Sequence, residues 1–399
     1  MEWLLHEGED MSPLAGLRVL DCTHVMAGAW CSLLLADLGA DVIKIEPLGG
    51  EITRSGRTAF RAYDFVNRNK RALAIDLATA QGADVVRRLA GDADIFVENY
   101  RAGALERMGL GYDDLAKVNP GLIYCSVTGF GRDGPYRDRG GLDLVAQAMS
   151  GIMSFTGPPD SEEPVAAGVP LSDLNAGTFG ALAILAAVHH RHQTGEGQHV
   201  ETSLLESALA YTVWESGLYL TTGEVARPRG SRHRLAAPYE ALRTGDGHIV
   251  VGVNSQRLWK RFCKVLGDSA LEDDPLLATP GARVKNRDAL QERLEAILVT
   301  EPTTTWVERL TAEGIPAGPI NDIGEALADP QIRARGMVAN VDGREFVRAP
   351  MKLSKTPVSV RRGPAEIGAH SREVLGEAGF EDDEIAALLA AGVIGQDPG

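Results

Sequence analysis

Leu17-Arg-Val-Leu-Asp21, a turn over Thr23 to Gly28, the helix formers of Ala29 to Leu38, then Asp41-Val-Ile-Lys-Ile-Glu46: this stretch decides the fold. Two short apolar runs flank a helical one. Gly39 supplies the left-handed residue that closes the helix, and Pro47 stops the second strand. Such a strand–helix–strand unit implies a parallel pair joined by a right-handed crossover. The rhythm continues downstream. Arg71 to Leu77, Ala93 to Glu98 and Gly121 to Val127 read as strands, with Gln81 to Leu89 and Tyr112 to Val118 helical between them. A long helix then runs from Asp173 to about His190. This alternation predicts an α/β fold, a Rossmann-like parallel sheet with helices on both faces.

The composition changes near residue 222. Gly223 to Arg234 is basic and broken by glycine and proline, as a linker is. Beyond it, Tyr239 to Val253 alternates around Thr244-Gly-Asp-Gly-His248, a hairpin signal. Arg257 to Leu266, Arg287 to Leu298 and Thr304 to Ala312 are helical, so a smaller α+β domain is expected over about 225–325. Ile315 to Ile320 reads as a rigid connector, and Ser371 to Gly376 and Asp382 to Ala391 as short helices.

Length and charge narrow the function classes. A chain of 399 residues suggests two or three domains. With 40 Lys and Arg against 55 Asp and Glu, the net charge of −15 argues against nucleic-acid binding, which needs a broad basic surface. The 44% apolar and 24% charged content suits a soluble enzyme that buries a large core without staples. Cys22, Cys31, Cys125 and Cys263 are scattered, which signals neither a zinc site nor a disulfide framework. A reducing cytoplasm is the expected compartment. The acidic opening lacks a signal-peptide pattern. The apolar run Ala176 to Val188 is shorter than the ~20 residues a bilayer span needs, so it reads as a core helix rather than a membrane segment. His189, His190 and His192 lack the H-E-x-x-H spacing of a metal site.

Several groups carry candidate chemistry. The loop His24 to Gly28 follows a parallel strand and opens a helix, where such folds hold anions. It has only Gly28 of the glycine fingerprint, which disfavours a dinucleotide oxidoreductase. Glu46 imitates a ribose-binding acid but reads more simply as a solvated residue before Pro47. Arg54, Arg57, Arg61, Arg68, Lys70 and Arg71 form either a phosphate-binding cluster or an ion-paired face. Asn99, Tyr100, Arg101 and Arg107 follow another strand at the same end of the sheet and offer a stacking face and cations. Asp173 reads as the N-cap of the long helix, with Ser172 nearly as suitable. A carboxylate there is stabilised as the anion, which suits a carboxylate nucleophile at neutral pH. No G-x-S-x-G or Walker loop occurs.

Ordered matches along the chain point further. Pro13-Leu-Ala-Gly-Leu-Arg-Val-Leu-Asp21, Leu35 to Glu46, Asn69-Lys-Arg71, Glu98-Asn-Tyr-Arg-Ala-Gly103 and Gly129-Phe-Gly-Arg-Asp-Gly-Pro-Tyr136 are among them. Asp143 to Gly151, Thr194 to Gln198 and Gly314 to Pro319 complete the set. With these segments the chain resembles the class III, CaiB/BaiF-like CoA-transferases, over about Leu14 to Leu375. The resemblance implies a large domain made from both ends of the chain (1–222 and 326–399) around a small one (223–325). It also implies an interlocked homodimer. Asp173 falls on the family nucleophile, which carries CoA from an acyl-CoA donor, for instance succinyl-CoA, to a small carboxylic acid through covalent aspartyl intermediates. CoA is then a substrate, with no prosthetic group or metal expected. Positions that resemble CoA contacts are Met26, Ala27, Ile75, Leu77, Asn99, Tyr100, Arg101, Arg107 and Arg139.

Departures sharpen this picture. The formyl-CoA branch has glutamine at the position of Met26, basic residues at those of Pro47 and Ala78, and a glycine-run flap that is missing here after residue 222. Formyl-CoA and oxalate are therefore disfavoured, and Met26 with Trp30 suggests a more apolar acyl site. Arg232, His233 and Arg234 are candidates for binding the free carboxylate of a dicarboxylate. The racemase branch has a histidine where this chain has Leu142, which accepts no proton. A racemase and a non-catalytic acyl-CoA-binding paralogue are the alternatives.

Overall fold

A computed structural model describes residues 12–55 and 61–396 and divides into two compact units. The first comprises residues up to Met153, Ala166–Gly223, and the chain from Arg333 onward; the second is Ser154–Val165 with Glu224–Ile332. The chain thus re-enters the first unit at Arg333 rather than at 326, and it leaves that unit earlier for a short excursion. Arg57 of the cationic stretch lies outside the described residues.

The first unit is built on parallel strands β1 (Arg18–Cys22), β2 (Asp41–Glu46), β3 (Lys70–Ile75), β4 (Ile95–Glu98), β5 (Ile123–Thr128) and β6 (His199–Ser203). Their order is β3-β2-β1-β4-β5-β6, and the two-residue strand Ile394–Gly395 pairs antiparallel with the outer edge of β3. Because helices cover both faces, β1 to β5 are almost wholly buried and read as continuous apolar runs. Side chains alternate between the faces. Val19 joins Ile95, Val127, Leu34 and Ile184 in one core, while Leu20 and Cys22 join Phe96, Leu89 and Leu375 in the other. The strand order reverses between β1 and β4. In open α/β sheets that switch point opens a crevice at the carboxyl ends of the strands.

The helix Ala27–Asp37 after β1 crosses the long helix Leu171–Thr194 at glycines. A Cβ on Gly177 would lie 2.3 Å from the Ala27 carbonyl oxygen, and one on Gly180 would lie 3.2 Å from Cys31 Sγ. The long helix has 24 residues and, by length and composition alone, is long and apolar enough to cross a membrane. The apolar run read from sequence is only its middle. Packing identifies it as a core helix, since Ala176, Gly177, Gly180, Ala181, Ile184, Ala187 and Val188 are buried in the first unit.

The second unit has a three-stranded antiparallel sheet of Tyr239–Arg243, His248–Gly252 and Ala317–Pro319. The segment read as a rigid connector therefore contributes an edge strand. Helices Gln256–Leu266, Arg287–Leu298 and Thr303–Ala312 close a core around Trp259, Phe262, Leu294 and Leu310.

Candidate active site

The loop between β1 and the first helix is held at four points. Asp21 Oδ1 accepts from the Thr23 amide (3.1 Å) and hydroxyl (2.5 Å). Lys44, fully buried in β2, donates to the Thr23 carbonyl. The Asn99 side chain grips the main chain of His24 twice, accepting from its N–H (2.7 Å) and donating to its carbonyl (2.8 Å). Glu51 Oε1 accepts from Val25 N–H at 3.1 Å. These clamps hold Val25 at φ 60°, a left-handed conformation that a β-branched residue adopts only under constraint. They also place the His24 ring edge-on to Tyr100, with centroids 4.6 Å apart.

Beneath the loop lies a buried charge cluster. Lys70 Nζ meets Asp21 Oδ2 at 2.8 Å, Ser32 Oγ at 2.9 Å and Asn67 Oδ1 at 2.8 Å. Burial alone would raise the Asp21 carboxyl, but Lys44 and Lys70 beside it hold it far below the usual carboxylate range. The rest of the cationic stretch is also paired. Arg54 forks onto Glu46 with two bonds of 2.6 Å, Arg61 meets Asp64, Arg68 meets Asp37, and Arg71 joins Asp41, Glu373 and Glu377. The described members of that stretch are an ion-paired framework. Glu46, 2% exposed, is not the solvated residue expected from sequence.

Cations without such partners lie on the other side of the switch point. Among the described residues Arg101, Arg107 and Arg139 have no carboxylate within ion-pair distance, and Arg139 rests over the Tyr136 ring at 3.9 Å. A cavity of about 400 Å³ is lined by Asn99, Tyr100, Arg101, Phe130, Arg139 and Leu142. A second, of about 340 Å³, is lined by Ile45, Pro47, Ile75, Leu77 and Tyr100. Tyr100 is common to both. Of the residues singled out from sequence, the structure thus brings Ile75, Leu77, Asn99, Tyr100, Arg101 and Arg139 to these cavities. Met26 and Ala27 instead open the first helix, and Arg107 lies in the turn Glu106–Met108.

Asp173 sits in the first turn of the long helix, but it is not the N-cap. That position is Pro170, whose side chain makes no capping bond. The cap comes from a distant residue. Asp143 Oδ1 accepts from the Ser172 amide at 2.7 Å and from the Asp173 amide at 3.3 Å, while its Oδ2 accepts from Gln147 Nε2 at 2.7 Å. Gln147 is fixed in turn, because its Oε1 accepts from Ala167 N–H at 2.9 Å. Burial first, and then the charge of Asp143, push the Asp173 carboxyl up to about 7. The expectation that Asp173 is fully ionised at neutral pH is therefore corrected: its neighbour takes up the helix N-terminus and repels its charge.

In the second unit, Arg232 bonds Gln291 at 2.5 Å and pairs with Asp288 (2.9 Å) and Glu240 (3.3 Å). His233 stacks on Tyr239 with centroids 4.7 Å apart, and Arg234 pairs with Glu224 at 3.7 Å. The Arg232 guanidinium is thus committed to this unit's own fold. Sequence reasoning missed Lys44, Glu51 and Gln147 as site-building residues. Only Lys44 had a readable signal, a lysine between two isoleucines in a buried strand. Among the described residues no group of three His, Cys, Asp or Glu is placed to hold a metal ion.

A family model described as CoA-transferase family III matches residues 14–371. The chain belongs to that family. The succinate–glutarate CoA-transferase of Agrobacterium fabrum is 39% identical over 387 residues, covering 92% of this chain and 95% of that one. The succinyl-CoA:glutarate CoA-transferase of Mus musculus is 38% identical over 400 residues, covering 97% and 92%. The crystal structure of a CaiB/BaiF family protein from Brucella suis superposes with a TM-score of 0.85 at 35% identity, covering 92% of this chain and 99% of that one. The protein is a CoA-transferase of class III, and acyl-CoA is its substrate.

Proposed function

We propose that this CoA-transferase moves CoA from succinyl-CoA to a short dicarboxylic acid such as glutarate, with Asp173 as the covalent carrier. The observation that carries this reading is Asp173 in the first turn of a core helix, where Asp143 Oδ1 caps the amides of Ser172 and Asp173 and its charge raises the Asp173 carboxyl. The same Asp143 follows Leu142 of the arginine-lined cavity in the chain. The two relatives named above support the donor and acceptor.

The chemistry balances without an added energy source. Ionised Asp173 attacks the thioester carbonyl, the C–S bond breaks, and CoA leaves as thiolate from a mixed anhydride. The thiolate attacks the aspartyl carbonyl and expels succinate, leaving an aspartyl–CoA thioester. The acceptor carboxylate attacks that thioester and displaces the thiolate again. The thiolate then takes the acceptor acyl group and frees Asp173. Each tetrahedral oxyanion needs preorganised donors, and the uncapped N–H groups at Met26–Gly28 are a source close to the long helix. Arg101 and Arg139 suit the phosphates of CoA, and the apolar cleft of Ile75, Leu77 and Tyr100 suits its nucleotide base.

The working form in this reading is a homodimer. Val213, Trp214, Tyr219 and Leu220 on the helix Val213–Thr222 are all more than half exposed, an apolar face that a second copy would cover. Four free, buried thiols suit a reducing cytoplasm.

The test is to incubate the protein with succinyl-CoA and a panel of carboxylic acids in deuterated water and to follow the CoA esters by mass spectrometry. Glutaryl-CoA without α-deuterium, absent with Asp173→Ala, supports transfer through Asp173. Deuterium uptake without acyl exchange would replace this reading with racemisation. Neither product from any donor would leave a binder without turnover.

A further inference from the structure

The loops after β4 and β5 form two walls of the 400 Å³ cavity, and one network joins them. Glu98, the last residue of β4, is 1% exposed. Its carboxylate accepts from Tyr100 N–H at 2.7 Å and from Arg132 at 3.3 Å. Arg132 belongs to the opposite wall. Its guanidinium also donates to Ser126 Oγ in β5 at 3.3 Å and to the Glu106 carboxylate in the turn Glu106–Met108. Ser126 is anchored by His199 Nε2 at 3.0 Å. Burial pushes the Glu98 carboxyl up, against the bonds from Ser126 and Tyr100 and the charge of Arg132.

The loop that carries Arg132 is pinched shut at its base. A Cβ on Gly141 would lie 2.2 Å from Gly129 Cα, so the two glycines touch backbone to backbone. Beyond the pinch the loop presents Arg137 and Arg139 to the cavity, and the opposite wall presents Tyr100 and Arg101. Arg132 grips that wall at both ends of the segment 98–106. A planar fork with five N–H donors can serve two carboxylates and a hydroxyl at once, whereas an ammonium is a single point charge.

We propose that Arg132 is a positioning residue for donor binding: by bridging Glu98 and Glu106 it sets the spacing of Arg101 and Arg139 across the cavity. This rests on the reading of that cavity as the site of acyl-CoA. Arg132 holds the walls, and the arginines it spaces meet the phosphates. Its loss weakens binding of the donor and leaves the chemistry at Asp173 and the affinity for the acceptor acid in place.

The test uses the full chain with Arg132→Gln, Arg132→Lys and Glu106→Gln. Succinyl-CoA KM, glutarate KM, kcat and Tm are measured, and free CoA is titrated by calorimetry. Arg132→Gln is expected to raise succinyl-CoA KM and CoA Kd ~10-fold, with kcat and glutarate KM within ~2-fold. Arg132→Lys recovers part of the loss, and Glu106→Gln, which keeps the buried bond to Glu98, costs ~3-fold in the same parameters. Unchanged donor KM and CoA Kd with a lowered Tm would reduce Arg132 to a structural role and overturn the proposal. Should Arg132→Gln fail to fold, the other two variants decide, and donor binding unchanged in both overturns it. If the unmodified protein binds no CoA, the reading of the cavity falls and the proposal with it. That result differs from equal CoA binding by protein and variants, which defeats the positioning role alone.

Discussion

Replacing Asp143 by asparagine removes a charge beside the nucleophile while keeping an oxygen at the helix start. The Asp173 carboxyl titrates at about 7, against an ordinary value of 3.8. Burial is the larger cause and Asp143 the smaller, so Asp143 accounts for less than half of the difference. Its removal is worth roughly 1 pH unit, or ~1.4 kcal/mol. The sign follows from the reaction. Only ionised Asp173 attacks, so kcat/KM climbs with pH through the carboxyl's midpoint and then levels. Asp143→Asn lowers that midpoint from about 7 to roughly 6, which raises kcat/KM ~5-fold at about pH 6 and leaves the plateau in place. Stability falls most clearly at about pH 5, where Asp173 is protonated in both proteins; toward about pH 8 the relieved repulsion offsets ~1 kcal/mol of the loss. The introduced amide would face Gln147 Nε2, and Gln147 cannot turn because its Oε1 already accepts from Ala167 at 2.9 Å. Gln147 Nε2 loses its 2.7 Å bond, faces a second donor and keeps only the Val169 carbonyl at 3.4 Å, a cost of ~1–3 kcal/mol in urea denaturation. The assay is glutaryl-CoA formation from saturating glutarate, read as log kcat/KM for succinyl-CoA from about pH 5 to about pH 9. A flat acid limb in the unmodified protein, or a midpoint in Asp143→Asn that stays put or rises, would refute this account of the pair.

Asp173→Ala is expected to lower transfer by roughly 10³-fold or more while CoA Kd in calorimetry stays within ~3-fold; residual turnover near the unmodified rate would remove Asp173 from the chemistry. Lys70→Met strips Asp21 of its 2.8 Å partner and orphans Asn67 Oδ1, so denaturant unfolding should show a loss of ~3–5 kcal/mol. An unchanged urea midpoint would mean that Lys44 alone satisfies Asp21. Gly177→Ala places a Cβ 2.3 Å from the Ala27 carbonyl oxygen, so the two helices must part, at ~1–3 kcal/mol in stability. Because Asp173 lies about one turn away on the same helix, kcat should fall with it; a fall in Tm without any change in kcat would show that the nucleophile does not depend on that crossing.

The large sheet was legible because its signals are local. Each βα unit carries its own apolar run, its own glycine and its own helix pattern, and these survive without knowledge of partners. Ala317-Gly-Pro319 was read as a connector because glycine and proline hide a strand that exists only by pairing with His248–Gly252. The cap of the long helix was misread for a related reason. The residue that caps it, Asp143, lies 29 residues before Ser172, and no spacing rule reaches that far. The cationic stretch was ambiguous until its acids were placed, since Arg71 finds Glu377 across 306 positions of chain. The arginines without such partners could not be distinguished from the paired ones by type. Only the distances separate the framework from the site.

The pairing of Ile394–Gly395 with Ala74 and Ile75 has a consequence for synthesis. A ribosome releases β1 to β6 first, with Ser154–Val165 of the second unit between β5 and β6, then Glu224–Ile332, and only afterwards the residues from Arg333 onward that belong with the sheet. At roughly 5–20 residues per second, the last part of that interval alone occupies several seconds. Throughout it, β3 presents a bare edge, and the face that will meet Val374, Leu375 and Ile385 is uncovered. The nascent chain therefore carries a bare strand edge and an apolar face before the segment that covers them has been made, and in this interval a chaperone has both to protect.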